Sequence, residues 1–389
     1  MIQLGLKNIR LNQGIDYFYS AESFYQEMVN MIDQAQSSII LQTYIFHADE
    51  VGTMIIERLK KAAARGVIVC MVVDRLGSST LPKNMREILS KDKINFGFFG
   101  NIKYKRILNG EYFVGRRMHH KVLLIDRKMA LIGGINIGEP FLDWYDFAAK
   151  IQGPTCEDIF KVCYTYLKLS MKRQVKRLSK AKWGTGMGLL PLRVVGNDSL
   201  LQVNGLNRSL KKYFTMADTE VLIISAYFFP SRDFRKMLYD LVTKGVKVRV
   251  ICGHLSDVKI MQYATTYYYE ELIKRGIEVV EWMPTILHGK AFIIDDDILS
   301  VGSYNFNYMS YFTNIELNVE VYDKAKIKEF KDHVMKQLDK NTSKISLNSM
   351  PQDFRSKAFR FFAYWIVRFF SIISVIFIRN TPSVKFDEI

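Results

Sequence analysis

The chain has 389 residues, 49% of them apolar and 24% charged. That composition excludes a disordered chain and leaves two ordinary domains or one two-lobed unit. A net charge of +16 argues for an anionic partner, whether nucleic acid, an anionic membrane surface or a phosphate-bearing substrate, without choosing among them.

The amino-terminal stretch MIQLGLKNIRLNQG has no secretory h-region, so the catalytic body is expected in the cytoplasm. Next, SSIILQTYIF (Ser37 to Phe46) reads as an apolar strand, MIIERLKKAAARG as a helix closed by Gly66, and VIVCMVVD as a buried strand. Strand, helix, strand in that order implies a parallel-rich sheet covered by helices. The four cysteines, Cys70, Cys156, Cys163 and Cys252, form no C-x-x-C pair and are expected as buried free thiols.

RMHHKVLLIDRKMALIGGIN follows, from Arg117 to Asn136. On the strand KVLLID, residues two apart share a face, so His119 and Lys121 point the same way. Asp126 lies an odd step further and reads as structural, ordering the hairpin. His119 and His120 face opposite ways, which argues against a metal pair. Gly133 and Gly134 allow close backbone approach to a ligand, and Asn136 can donate to a phosphoryl oxygen. Asp146, in WYDFAAKI, follows on the next segment.

A basic run, LKLSMKRQVKRLSKAK, and the loop WGTGMG (Trp183 to Gly188) mark the boundary between halves. The run reads as a solvated helix face, with contact to an anionic surface as the rival reading.

The second half repeats the first. EVLIISAYFF (Glu220 to Phe229) matches the first strand, FRKMLYDLVTKG the helix with Gly245 at its end, and VKVRVIC the next strand. LHGKAFIIDDDILSVGSYN, Leu287 to Asn305, then repeats the motif. His288, Lys290, Asp295, Gly302, Ser303 and Asn305 fall on His119, Lys121, Asp126, Gly133, Gly134 and Asn136 at one offset of 169 residues. The first half carries about ten more residues between cap glycine and motif, expected as a loop. Duplicated lobes explain the repeat better than a short solenoid unit.

Two facing lobes would bring two imidazoles to opposite sides of one phosphorus. One neutral histidine would attack and form a phosphohistidine; the other would protonate the leaving alcohol and then deprotonate the acceptor. Two lysines and two asparagines would hold the equatorial oxygens. Each imidazole needs its second nitrogen oriented by an acid, and Glu316, in NIELNVEV, and Asp146 are the candidates. No metal or other cofactor is required.

The duplicated H-x-K-x(4)-D-x(6)-G-[GS]-x-N resembles the phospholipase D superfamily, and more narrowly the short bacterial cardiolipin synthases that lack amino-terminal transmembrane helices. RRMHHKVLLID with GGIN, AYFFP, LHGK with GSYN, and NIELN carry the resemblance, over roughly residues 15 to 345. It implies an α/β fold of two pseudo-repeated α-β-α lobes with mixed sheets and the active site at the lobe interface. It assigns His119, Lys121 and Asp126 with His288, Lys290 and Asp295 to the catalytic motifs, Asn136 and Asn305 to the phosphate, and Glu316 and Asp146 to orienting the histidines. Asp146 departs slightly in spacing, and NFNYMSYF lacks the aspartate that often follows the second asparagine. His119 is the nucleophile by analogy.

The final segment, FRSKAFRFFAYWIVRFFSIISVIFIRN, has uncharged runs too short for a plain membrane span. Lys357, Arg360, Tyr364, Arg368 and Ser371 fall on one stripe of a helix. This reads as an interfacial amphipathic helix whose cations meet anionic headgroups; the rival is a helix docked on the protein itself. The expected units are 1–190, 191–345 and a membrane-associating tail, 346–389. The expected activity is cardiolipin formation from phosphatidylglycerol, with phosphatidylethanolamine left open as a substrate. An anionic phospholipid membrane is the expected partner, nucleic acid is not, and the expected place is the cytoplasmic side of the inner membrane. A phospholipase D hydrolase or a nuclease of the same superfamily is the alternative.

Overall fold

The computed structural model describes residues 8–100, 116–171, 178, 188–198, 201 and 203–379, apart from the side chains of 374–379. Outside them lie part of the amino-terminal stretch read above, most of the basic run and of the loop after it, part of the first half's extra length, and the last ten residues.

Two sheets carry the repeat. The first is seven-stranded, in the order β2 (Gly14–Phe18), β8 (Ala148–Gln152), β7 (Met129–Gly133), β6 (Lys121–Ile125), β3 (Ser38–Thr43), β4 (Ile68–Asp74), β5 (Ile94–Phe99). The second repeats it as β9 (Leu190–Asp198), β16 (Glu316–Val321), β15 (Ile298–Gly302), β14 (Ala291–Ile294), β11 (Glu220–Ile224), β12 (Lys247–Leu255), β13 (Glu278–Ile286). β1 (Arg10–Asn12), β10 (Val203–Asn204) and β17 (Thr342–Lys344) bring the second sheet to ten strands. The amino-terminal strand β1 thus pairs with β9 in the second sheet, not the first.

Only β3, β4 and β5, and their counterparts β11, β12 and β13, are mutually parallel. The parallel-rich sheet inferred from the strand–helix–strand order gives way to a mixed one. The cause is the motif hairpin, which adds antiparallel strands beside β3 and β11. Helices Glu50–Ala64 and Arg232–Thr243 are the crossovers, and Gly66 (φ +93°) and Gly245 (φ +89°) take the left-handed position beyond them.

Side-chain alternation divides the interior. Val122 and Leu124 of β6, with Ala291 and Ile293 of β14, face a core shared by both sheets, which also takes helices Thr155–Met171 and Lys324–Asn341. Leu123 and Ile125 face the first lobe's outer core; Phe292 and Ile294 face the second's. The shared core makes the two lobes one packed body.

Helix Phe354–Arg379 lies along helix Lys259–Lys274. Here the structure modifies the sequence reading in part. The carboxy-terminal part of the polar stripe faces the protein: Tyr364 and Ser371 are 8% and 7% exposed, and Arg368 is half-buried and donates to Tyr364 Oη at 3.1 Å, while Lys357 at the other end is exposed and Arg360 half-buried. Phe362, Trp365, Phe369 and Phe370 face outward at 49–63% exposure. The reason is the docking surface. Tyr364 stacks on Tyr267 at 4.4 Å and meets Tyr268 edge-on at 5.4 Å, so a partly polar aromatic surface takes the partly polar stripe. No helix among the described residues is long and apolar enough to cross a membrane.

Candidate active site

Each motif hairpin is closed by a turn with two non-glycine residues at positive φ: Asp126 and Arg127, and Asp295 and Asp296, all between +50° and +57°. The aspartates offset that strain. Asp126 accepts from the backbone N–H groups of Gln36, Ser37 and Ser38 and from Ser37 Oγ, at 2.7–2.9 Å. Asp295 repeats this with Asp218, Thr219, Glu220 and Thr219 Oγ1, all at 2.8 Å. Both carboxylates sit at the opposite end of the motif strand from the histidines. They tie the hairpin to β3 or β11, and they stand apart from the histidines and lysines with which the resemblance grouped them.

At the other end of β6 and β14 the chains of the two lobes cross. His119 N and His120 N donate to Ile315 O, and Ile315 N donates to Arg117 O. His288 N and Gly289 N donate to Tyr145 O in the same pattern. These exchanges bring each acid to the other lobe's histidine. Glu316 Oε2 lies 3.0 Å from His119 Nδ1, and Asp146 Oδ2 lies 2.5 Å from His288 Nδ1. Glu316 also accepts from Ser303 Oγ, Ser310 Oγ and Asn314 Nδ2. Asp146 accepts from Phe147 N at 2.7 Å. Gly134 matters here, because a Cβ would drive into the Asp146 carboxylate. Its counterpart Ser303 instead supplies a hydroxyl to Glu316.

His119, Lys121, His288 and Lys290 are all buried. Lys121 Nζ donates to His119 O at 2.6 Å, and Lys290 Nζ to His288 O. Burial, then the charge of Lys290, brings Lys121 down to about 7; burial brings Lys290 to about 8. Burial, then Lys290, lowers His288 to about 4, and burial lowers His119 against the pull of Glu316. Asp146 and Glu316 end below their usual range: burial pushes them up, but the facing cations and hydrogen bonds outweigh it. Each lysine lowers the opposite lobe's histidine, so the four basic groups share one electrostatic field. A cluster of cations held this far below their ordinary values is one that an anion would stabilise.

With each Nδ1 on a carboxylate, Nε2 of each ring is left for a ligand. Asn136 Oδ1 accepts from Ile45 N at 3.2 Å, and Asn305 Oδ1 is buried without a protein partner. His120 belongs to the core: Nε2 meets Gln42 Oε1 at 2.7 Å, and its counterpart Gly289 leaves room for Phe147. Among the described residues no group of three His, Cys, Asp or Glu could hold a metal ion.

Sequence reasoning passed over four neighbours. Tyr44 lies 5.1 Å from the His119 ring; Tyr227 and Trp144 lie 6.1 and 5.0 Å from His288. Asp257 accepts from Tyr227 Oη at 2.5 Å and acts on Lys290. A signal existed for the tyrosines, since Tyr44 and Tyr227 coincide when SSIILQTYIF is laid on EVLIISAYFF. Asp257 and Trp144 have no matched partner in the repeat.

A family model described as "Cardiolipin synthase, PLD-like domain" matches residues 28–152 and 210–340. The chain is 30% identical over 318 residues to cardiolipin synthase B of Escherichia coli (strain K12), covering 80% of this chain and 76% of that protein. It is 28% identical to a cardiolipin synthase of Clostridium perfringens (strain SM101), covering 86% and 72%. Its fold is similar to phosphatidylserine synthase of Haemophilus influenzae Rd KW20, with a TM-score of 0.70 at 16% identity over 95% of this chain and 97% of that one. Polyphosphate kinase of Porphyromonas gingivalis shares the fold at a TM-score of 0.56 and 14% identity, over 92% and 53%.

Proposed function

This chain belongs to the cardiolipin synthase, phospholipase D-like family, and from that premise we propose that it is a phosphatidyltransferase that makes cardiolipin from phosphatidylglycerol. The observation that carries the mechanism is the reciprocal pairing of each histidine with the other lobe's acid. His119 Nε2 attacks the phosphorus of the first phosphatidylglycerol. The bond to the glycerol headgroup breaks, and His288 Nε2–H gives the departing oxygen its proton. A hydroxyl of a second phosphatidylglycerol then loses its proton to His288 and attacks. The phosphorus–nitrogen bond breaks, and cardiolipin leaves with His119 neutral again. Lys121, Lys290, Asn136 and Asn305 hold the equatorial oxygens.

The phosphate supplies the charge that the free site lacks. Its anionic oxygens raise His288 toward the protonated form that leaving-group catalysis needs. The proposed units are 1–190, 191–345 and 346–389. The tail's outward aromatic face supports peripheral attachment to a bilayer, with bulky apolar side chains and the exposed Lys357 making the contact, and the proposed place is the cytoplasmic side.

Analysis of lipid products from defined donors and acceptors tests the reading. The parent chain should convert phosphatidylglycerol to cardiolipin and free glycerol, and His119→Ala and His288→Ala should each abolish it. Phosphatidic acid as the sole product would identify a hydrolase; turnover surviving loss of either histidine would overturn the shared site.

A further inference from the structure

A cavity of ≈ 730 Å³ lies outside the motif residues: none of the motif histidines, lysines or asparagines lines it. It is bordered by the ends of β12 and β13, helix Lys259–Lys274, β17 and the first turns of helix Phe354–Arg379. The turn after His254 links this cavity to the motif site. His254 and Gln262 face the cavity, while Asp257 between them reaches Tyr227 beside His288.

The lining is two-sided. Tyr263, Met283 and Phe359 make an apolar wall, with Phe359 edge-on to Tyr263 at 4.5 Å. Arg355, Arg360 and Ser349 lie among its polar lining, with His254, Gln262 and Glu281. Arg360 is anchored only on neutral carbonyls, giving Nη2 to Pro351 O at 2.6 Å and Nε to Ser356 O at 3.3 Å. No carboxylate forms an ion pair with Arg355 or Arg360 among the described residues. The acid in the wall, Glu281, is already committed to His254 Nδ1 at 2.9 Å and Tyr269 Oη at 3.0 Å.

The carboxylate that Arg360 does act on, Glu270, is already held by Lys274 at 2.6 Å, and two guanidinium groups with no carboxylate paired to them suit a phosphate, in bidentate fashion. A volume this large, with apolar walls, exceeds what a bare phosphate needs and suits an amphiphile. The adjoining helix turns Phe359 and Phe362 outward at 56% and 62% exposure, giving an acyl chain a path from the cavity to a bilayer. We propose that this cavity is a second, non-catalytic phospholipid site, binding one anionic phospholipid by its phosphate at Arg355 and Arg360. The inference rests on the membrane attachment proposed above, not on the transfer chemistry.

Native mass spectrometry of the full chain in mixed micelles of phosphatidylglycerol and phosphatidylcholine tests it. One phosphatidylglycerol should be retained by the parent and by His119→Ala. Arg355→Glu, at an exposed position, should weaken retention roughly tenfold while leaving kcat on a water-soluble short-chain phosphatidylglycerol unchanged. Equal retention of both lipids, or retention indifferent to Arg355→Glu, overturns the site. So does displacement of the retained lipid by inorganic vanadate, which would place it in the catalytic pocket. Absence of short-chain turnover with lipid retention intact would instead sink the proposed transfer activity and leave this site standing.

Discussion

Glu316, on the second sheet, binds Nδ1 of His119, beside the first, at 3.0 Å. The carboxylate fixes the tautomer that carries its proton on Nδ1 and leaves a lone pair on Nε2. Asp146 does the same for His288 in the reverse direction. Neither lobe alone holds an oriented histidine, so the proposed transfer needs the pair of lobes.

Glu316→Gln keeps the size of the side chain and removes its charge. It should lower kcat roughly 10²–10⁴-fold, by analogy with other histidine-orienting acids, with little effect on KM. The check is steady-state transfer between short-chain lipids. A loss under threefold would show that the orientation of His119 does not depend on this acid.

The pH profile of kcat/KM should be bell-shaped, because that parameter reports the free enzyme. The acid limb should lie below the ordinary histidine value of about 6.5, since burial lowers His119, which must be neutral to attack. The alkaline limb should begin between about 7 and 8, where Lys121 and Lys290 lose their protons. Stability should run the other way there. A lysine titrating near 7 when folded and at 10.5 when unfolded leaves the native state with fewer bound protons, so stability rises with pH across that window. Lys121→Met should therefore raise Tm most at pH 6 and least at pH 10 while abolishing turnover, as calorimetry beside an activity assay would read.

Asp126→Asn should separate structure from chemistry. It weakens charge-assisted bonds to the start of β3 and should cost about 1–3 kcal/mol of stability, while kcat per folded molecule stays within a few-fold. Denaturant melts measure the first and active-site-normalised rates the second. Complete inactivity of a well-folded Asp126→Asn would return this residue to the reacting groups.

Replacing Phe362, Trp365 and Phe369 together by Glu changes only the outward face of the last helix. Flotation with phosphatidylglycerol vesicles should fall at least tenfold, and turnover of vesicle substrate with it, while turnover of short-chain substrate holds. Equal flotation would show that this face does not meet the bilayer.

Sequence alone was enough to find the duplicated motif, the two lobes and the face that His119 shares with Lys121. Such features follow from covalent order and the two-residue period of a strand, which hold wherever the strand packs. Tertiary structure decided the rest. Laying one half on the other pairs Asp146 with Glu316, but carries nothing about which lobe's histidine each acid will reach; the crossed contacts of Ile315 and Tyr145 settle that. The stripe through Tyr364 and Arg368 was legible as a stripe, yet which side of it would be covered depended on the tyrosines of helix Lys259–Lys274. Periodicity defines the faces of an element, and only the neighbour it packs against determines which of them is buried.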